Sequence, residues 1–205
     1  MNADLSRASR LALVSAWAGL ALGGASLWQG IPEAAIALWG LGGAWVLQVP
    51  PALSLRSRVQ TGLGNSGLER ERLTLKTVSH LLRLLALGMA MASISALLGE
   101  RSPQFSLVTL GLALLAPGLQ AVLWRSKRGL AGIHPALALD AARTRTMLEL
   151  AVLCLVGSLL GRWFPWGDAA TGLAMALRVF FEGQTLAKAS TLSAAACGGC
   201  GGSCH

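Results

Sequence analysis

The chain contains no tyrosine, and only 13% of its 205 residues are charged. A soluble domain of ordinary make-up carries about 25% charged residues, so a typical solvated surface is excluded. Cysteine is scarce as well. Three of the four cysteines fall in the last nine residues and Cys154 stands alone in an apolar run, which excludes the disulfide framework of a small secreted domain. There is no H-E-x-x-H, no Walker loop, no Ser/His/Asp nucleophile set and no paired catalytic carboxylates, so an enzyme is not expected. The net charge of +8 is spread between apolar runs and forms no separate basic module, which argues against nucleic-acid binding.

What is present is hydrophobic: 54% of the residues are apolar and the mean hydropathy is +0.59. Six runs approach the roughly 20 residues needed to cross a bilayer core. They cover 11–28, 34–55, 73–98, 105–124, 134–160 and 168–189. The links at 29–33 and 162–167 are short enough to be tight turns, and 99–104 is a further turn. Pro50-Pro51 removes two backbone donors and predicts a kink or an end to the second helix. Pro117-Gly118 predicts a kink in the fourth, and His134-Pro135 opens the fifth. Residues 56–72 read as a basic, glycine-containing loop. The polar start leads into a run long enough to span, so no cleavable signal peptide is expected. The expectation is an all-α integral membrane domain of six transmembrane helices over 1–189, with a flexible Gly/Cys-rich tail over 190–205.

Charge sorts by side. Arg7, Arg10, Arg56, Arg58, Arg70, Arg72, Arg125, Lys127 and Arg128 fall on one side, and only Arg101 and Arg162 on the other. The positive-inside rule then places both termini in the cytoplasm, with the chain in a bacterial inner membrane.

Several ionisable residues lie inside the apolar runs, where charges face a bundle interior or a pathway. Asp140, Arg143, Thr144 and Met147 share one stripe of the fifth helix. Arg145 with Glu149, and Arg178 with Glu182, are spaced for i,i+4 pairs. Arg178 lies near mid-span, too deep for easy snorkelling, and predicts a buried partner. Lys76, His80 and Arg83 share a face of the third helix. Two readings stand side by side. One is a polar pathway between the third, fifth and sixth helices, with His80, Asp140, Arg143, Glu149, Arg178 and Glu182 as stations. The other is a set of charges that neutralise one another and fix packing. The GxxxG spacing among Gly19, Gly23 and Gly24 predicts close packing of the first helix.

The order of these features resembles the transmembrane domain of the cation diffusion facilitators, exporters of zinc, manganese and iron. The similarity rests on the basic fourth-span end LWRSKRG and the ALxxDAxxTRT pattern at 136–146. It also rests on GDAATGLAMALRVFFEGQTLAKAS in the last span and on GLERERLTLKTVSHLL leading into the third. The resemblance implies a six-helix cation-efflux-like bundle with both termini inside. In that family, His/Asp pairs at i,i+4 on the second and fifth spans hold the ion. The matching positions here carry Gly40 and Ala44, and Arg143 and Met147, while Asp140 matches an acidic position that is not a ligand. The family's cytoplasmic dimerisation domain is expected to be missing.

The tail offers Cys197, Cys200, Cys204 and His205, soft donors suited to zinc or copper(I). Three functions follow as expectations. The first is transition-metal transport or homeostasis with the tail as a metal-capturing site. The second is a non-transporting pseudo-transporter that scaffolds a homodimer or a larger membrane complex. The third, a thiol oxidoreductase, rests on Cys197 and Cys200 alone. The bilayer and a metal ion are the partners these readings share.

Overall fold

Six apolar runs become seven helices among the described residues. The computed structural model describes residues 2–61, 65–99, 103, 106–132 and 135–198, with side chains left aside at 2–5, 55, 57–61, 65–68, 135–136 and 192–198. The helices are α1 (Asn2–Gly30), α2 (Ile36–Leu47), α3 (Val49–Thr61), α4 (Asn65–Leu98), α5 (Leu107–Arg128), α6 (Pro135–Trp163) and α7 (Gly167–Gly198). Among the described residues there is no strand.

Among the described residues, five stretches are long and apolar enough to cross a membrane: Ser6–Gly30, Ile36–Ser54, Glu69–Leu98, Leu107–Arg128 and Leu137–Trp163. The protein is therefore a multi-pass membrane protein by length and composition. α7 is as long as these but carries Asp168, Arg178 and Glu182 within its apolar part.

The second run breaks where its prolines require. α2 ends at Leu47, Gln48 forms the joint, and α3 restarts at Val49 with Pro50 and Pro51 in its first turn, where a missing N–H leaves no helical bond unmade. Pro117, by contrast, sits inside a continuous α5. The expected loop over 56–72 is mostly helix, because α3 runs to Thr61 and α4 starts at Asn65. Leu, Arg and Glu around Glu69–Arg72 are strong helix formers, and they extend α4 past its apolar part. α7 continues to Gly198, beyond residue 189 where the sequence pattern closed the last helix. The turn expected over 99–104 falls mostly outside the described residues, as does His134.

α2 occupies the centre. It packs against α1, α4, α6 and α7, while α1, α5, α6, α7 and α4 follow one another around it and α3 closes the ring between α4 and α1. Leu38, Leu41 and Trp45 of α2 meet Met89 of α4, Met147 of α6 and Met175 of α7 in one buried core. In a bilayer such contacts gain little from water release, so close fit decides which helices associate. At the α1–α2 crossing the fit depends on missing side chains. A Cβ on Gly42 would stand 2.8 Å from the Gly23 carbonyl oxygen and 2.9 Å from the Leu27 nitrogen. Gly19 likewise faces the Trp45 carbonyl, whereas Gly24 faces open space. The GxxxG reading holds, with Gly19 and Gly23 as its contact pair.

At the end of the bundle away from the basic loops, two carboxylates fasten helix starts that are not their own. Asp168, in the first turn of α7, accepts the N–H of Ile36 at 2.7 Å and of Ala37 at 3.2 Å. α2 has no side-chain cap of its own at Ala35, so a distant residue satisfies its first amides. Glu33, in the α1–α2 turn, accepts the Thr109 hydroxyl, the Ser106 N–H and the Gln29 amide, and so caps α5 together with Ser106. Partial burial pushes the Glu33 carboxyl up, but the donors from Thr109, Ser106 and Gln29 outweigh it and hold the group below its usual range. The next residue, Ala34, takes a left-handed φ of 53° to make this turn.

Candidate functional site

Among the described residues, most of the ionisable residues planted in the apolar runs converge on α5, α6 and α7, in three ion pairs between helices. Nearest the basic end, Lys127 of α5 donates to Asp140 at 2.8 Å and to the Thr144 hydroxyl at 3.1 Å. Thr144 is oriented for this by donating to the Asp140 carbonyl at 2.9 Å. One turn further along α6, Arg143 faces Glu182 of α7 at 3.8 Å, with only 9% and 7% of the two side chains exposed. Deeper still, Arg178 of α7 grips Glu149 of α6 through Nε at 2.9 Å and Nη2 at 2.6 Å, and Nη2 also reaches Thr146 at 3.3 Å.

Helical geometry explains the order. Asp140, Arg143 and Thr144 share one stripe, and α7 runs antiparallel to α6, so residues later in α6 meet residues earlier in α7. The i,i+4 spacing of Arg178 and Glu182 had suggested that they pair with each other. Both instead face α6, and each takes the opposite charge that α6 presents there. The Arg145–Glu149 pair does form along α6, at 3.3 Å.

The three pairs differ in exposure. Lys127–Asp140 and Arg143–Glu182 are enclosed. A cavity of about 10 Å³ beside Lys127, lined by Ser15, Gln48, Gln120 and Thr144, has room for about one water. Glu149 and Arg178, in contrast, are 39% and 37% exposed, and Arg145 is 68% exposed. Glu149 is the middle residue of α6, so this cluster of charges opens onto the outer face of the bundle at mid-depth.

His80 stands apart from these pairs. It is exposed on α4, on the rim of a groove between α4 and α7. The polar column is completed by Lys127 of α5, whose charge the sequence pattern had assigned to the loop-side count; it is 5% exposed and paired.

Among the described residues no group of three or more His, Cys, Asp or Glu comes together as a metal site. The family-like ligand positions are filled by chemistry unsuited to a divalent cation. Arg143 brings a fixed positive charge there, Met147 is buried in the core, and Gly40 is packed under the Met89 side chain. In the tail, the backbone of Cys197 belongs to the last turn of α7, while its side chain and all of Cys200, Cys204 and His205 lie outside the described residues.

Neither a scan against protein-family models nor a search of curated proteins finds a match to this chain.

Proposed function

We propose that this chain is a multi-pass inner-membrane protein of cation-efflux-like build that serves as a non-transporting subunit in transition-metal handling. Both termini face the cytoplasm. The tail thiolates Cys197, Cys200 and Cys204, with His205, capture a soft ion such as zinc or copper(I), and the bundle anchors that site and docks onto a partner or a second copy of itself.

The observation behind the docking half is the Arg145–Glu149–Arg178 cluster. An Arg, Lys or Asp at the bilayer centre costs about 2.5–3.5 kcal/mol on insertion scales; pairing offsets part of that, and the exposed share of each side chain keeps the rest. Covering the α6–α7 face with another helix surface removes the penalty. The non-transporting half is supported by the pairing itself: every enclosed carboxylate of the column already holds a cation from the same chain, which leaves no spare donor for a metal ion.

The test is native mass spectrometry of the gently solubilised protein beside Glu149→Ala/Arg178→Ala, with metal titrations of the intact chain and of a Cys197/Cys200/Cys204→Ser variant. Assembly lost in the first variant and soft-metal binding lost in the second support the proposal. A monomeric wild type, or zinc flux through proteoliposomes that persists without the tail cysteines, overturns it. True transport is the second reading, and what favours it is the column of ionisable groups reaching from the basic end to mid-bundle.

A further inference from the structure

An open groove between α4 and α7 measures about 590 Å³. Leu84, Leu87, Ala90, Leu173, Leu177 and Phe180 line its length, and His80 and Arg83 close one end. We infer that this groove holds an anionic phospholipid of the leaflet on the basic-loop side, its acyl chain along the leucines and its phosphate on His80 and Arg83.

Three observations carry the assignment. The first is charge. The Arg83 Nε is buried without a hydrogen-bond partner, and no ion pair to Arg83 is found among the described residues. Among the described residues, this half-buried cation is not compensated by the α5–α7 column. Its stem is held in place, since the Arg83 Cγ lies 3.1 Å from where a Cβ on Gly183 would stand, and the head group is thereby directed along the α4–α7 crossing. His80 sits one turn away on the same helix face and is exposed.

The second is depth. α4 ends at Leu98, and at 1.5 Å per residue Arg83 is roughly 22 Å and His80 roughly 27 Å from that end. A hydrocarbon core of about 30 Å puts both within side-chain reach of the opposite headgroup layer. That is the layer beside the α3–α4 and α5–α6 connections, where the basic residues collect, and anionic lipid is drawn there.

The third is length. From His80 to Ala90 the groove runs roughly 15 Å, which is about half the hydrocarbon thickness and so one acyl chain in one leaflet. The exposed Leu84, Leu87 and Leu177 leave it open sideways, the direction from which a lipid enters.

The experiment uses the full chain in nanodiscs of mixed phosphatidylglycerol and phosphatidylcholine, followed by detergent release and native mass spectrometry of retained lipid. Wild type should retain phosphatidylglycerol in preference to phosphatidylcholine. His80→Gln/Arg83→Gln should lower that preference by roughly fivefold, the effect of removing the one fixed cation near the headgroup. Ala90→Trp, which fills the groove and leaves the charges alone, should lower retention of both lipids. Equal retention of the two lipids by wild type overturns the inference without reference to any variant. So does an unchanged preference in the double variant, competition by inorganic phosphate as effective as by lipid, or disulfide cross-linking of Leu87→Cys between two copies in lipid-rich discs.

Discussion

Arg143 and Glu182 face each other across the α6–α7 seam at 3.8 Å, in a place where the resemblance to cation exporters puts a metal ligand. The pair is enclosed and loosely spaced, and the Arg143 Nε makes no hydrogen bond. Its role is therefore mutual neutralisation more than tight binding, and this can be measured. Removing one partner strands a buried charge, whereas removing both strands none. Arg143→Leu or Glu182→Leu alone should lower unfolding stability by about 3–5 kcal/mol, and the double replacement by much less. A double-mutant cycle in detergent checks this; strictly additive losses would show that the two do not interact.

Asp168 gives a second prediction. It supplies both acceptor bonds for the first amides of α2, and it is 1% exposed. Asp168→Ala should cost about 3 kcal/mol, the sum expected for two charge-assisted bonds lost at a buried helix start, and Asp168→Asn should recover part of it. Thermal unfolding of the two variants separates the effect of the hydrogen bonds from that of side-chain volume.

Glu33 predicts a pH dependence. Its folded-state carboxyl is held below the unfolded value of 4.5, so the fold favours the ionised form. The stabilisation is complete above that value and disappears as pH falls through the lowered folded value. The difference in melting temperature between the protein and Glu33→Gln should be constant from pH 5 to 8 and shrink below about pH 4.5. A difference that grows on acidification would contradict the capping role.

The α1–α2 crossing supplies an internal control. Gly42→Ala pushes a methyl into the Gly23 and Leu27 backbones and should destabilise by about 1–3 kcal/mol. Gly24→Ala meets nothing within 4 Å and should be neutral or slightly stabilising, since alanine favours helix. Equal effects of the two substitutions would mean that the helices are not in close contact there.

Much of the architecture is legible in the sequence because the bilayer sets a length and a polarity for each span. Five of the six runs as candidate spans, the break at Pro50-Pro51 and the Gly19/Gly23 face all follow from local chemistry. Partners across helices do not. Spacing told that Arg178 and Glu182 share a face, and it told nothing of what stood opposite. Lys127 reads as one more loop-side cation until α6 brings Asp140 to it. Asp168 and Glu33 read as polar residues at turns, and their work as caps for α2 and α5 depends on contacts 132 and 73 residues away in the chain. The basic stretch before α4 looks like a loop by composition, yet its helix formers prevail.

The fastening of α2 by Asp168 has a consequence for how the molecule is made. The central helix leaves the ribosome early, and the carboxylate that caps it follows 132 residues later. At about 5–20 residues per second, roughly 7–26 s of synthesis separate the two. Throughout that interval the first amides of α2 depend on water or on the insertion machinery. A chain arrested before Asp168 emerges therefore carries a central helix whose first amides lack their cap. Emergence of the first turn of α7 is the event that supplies it.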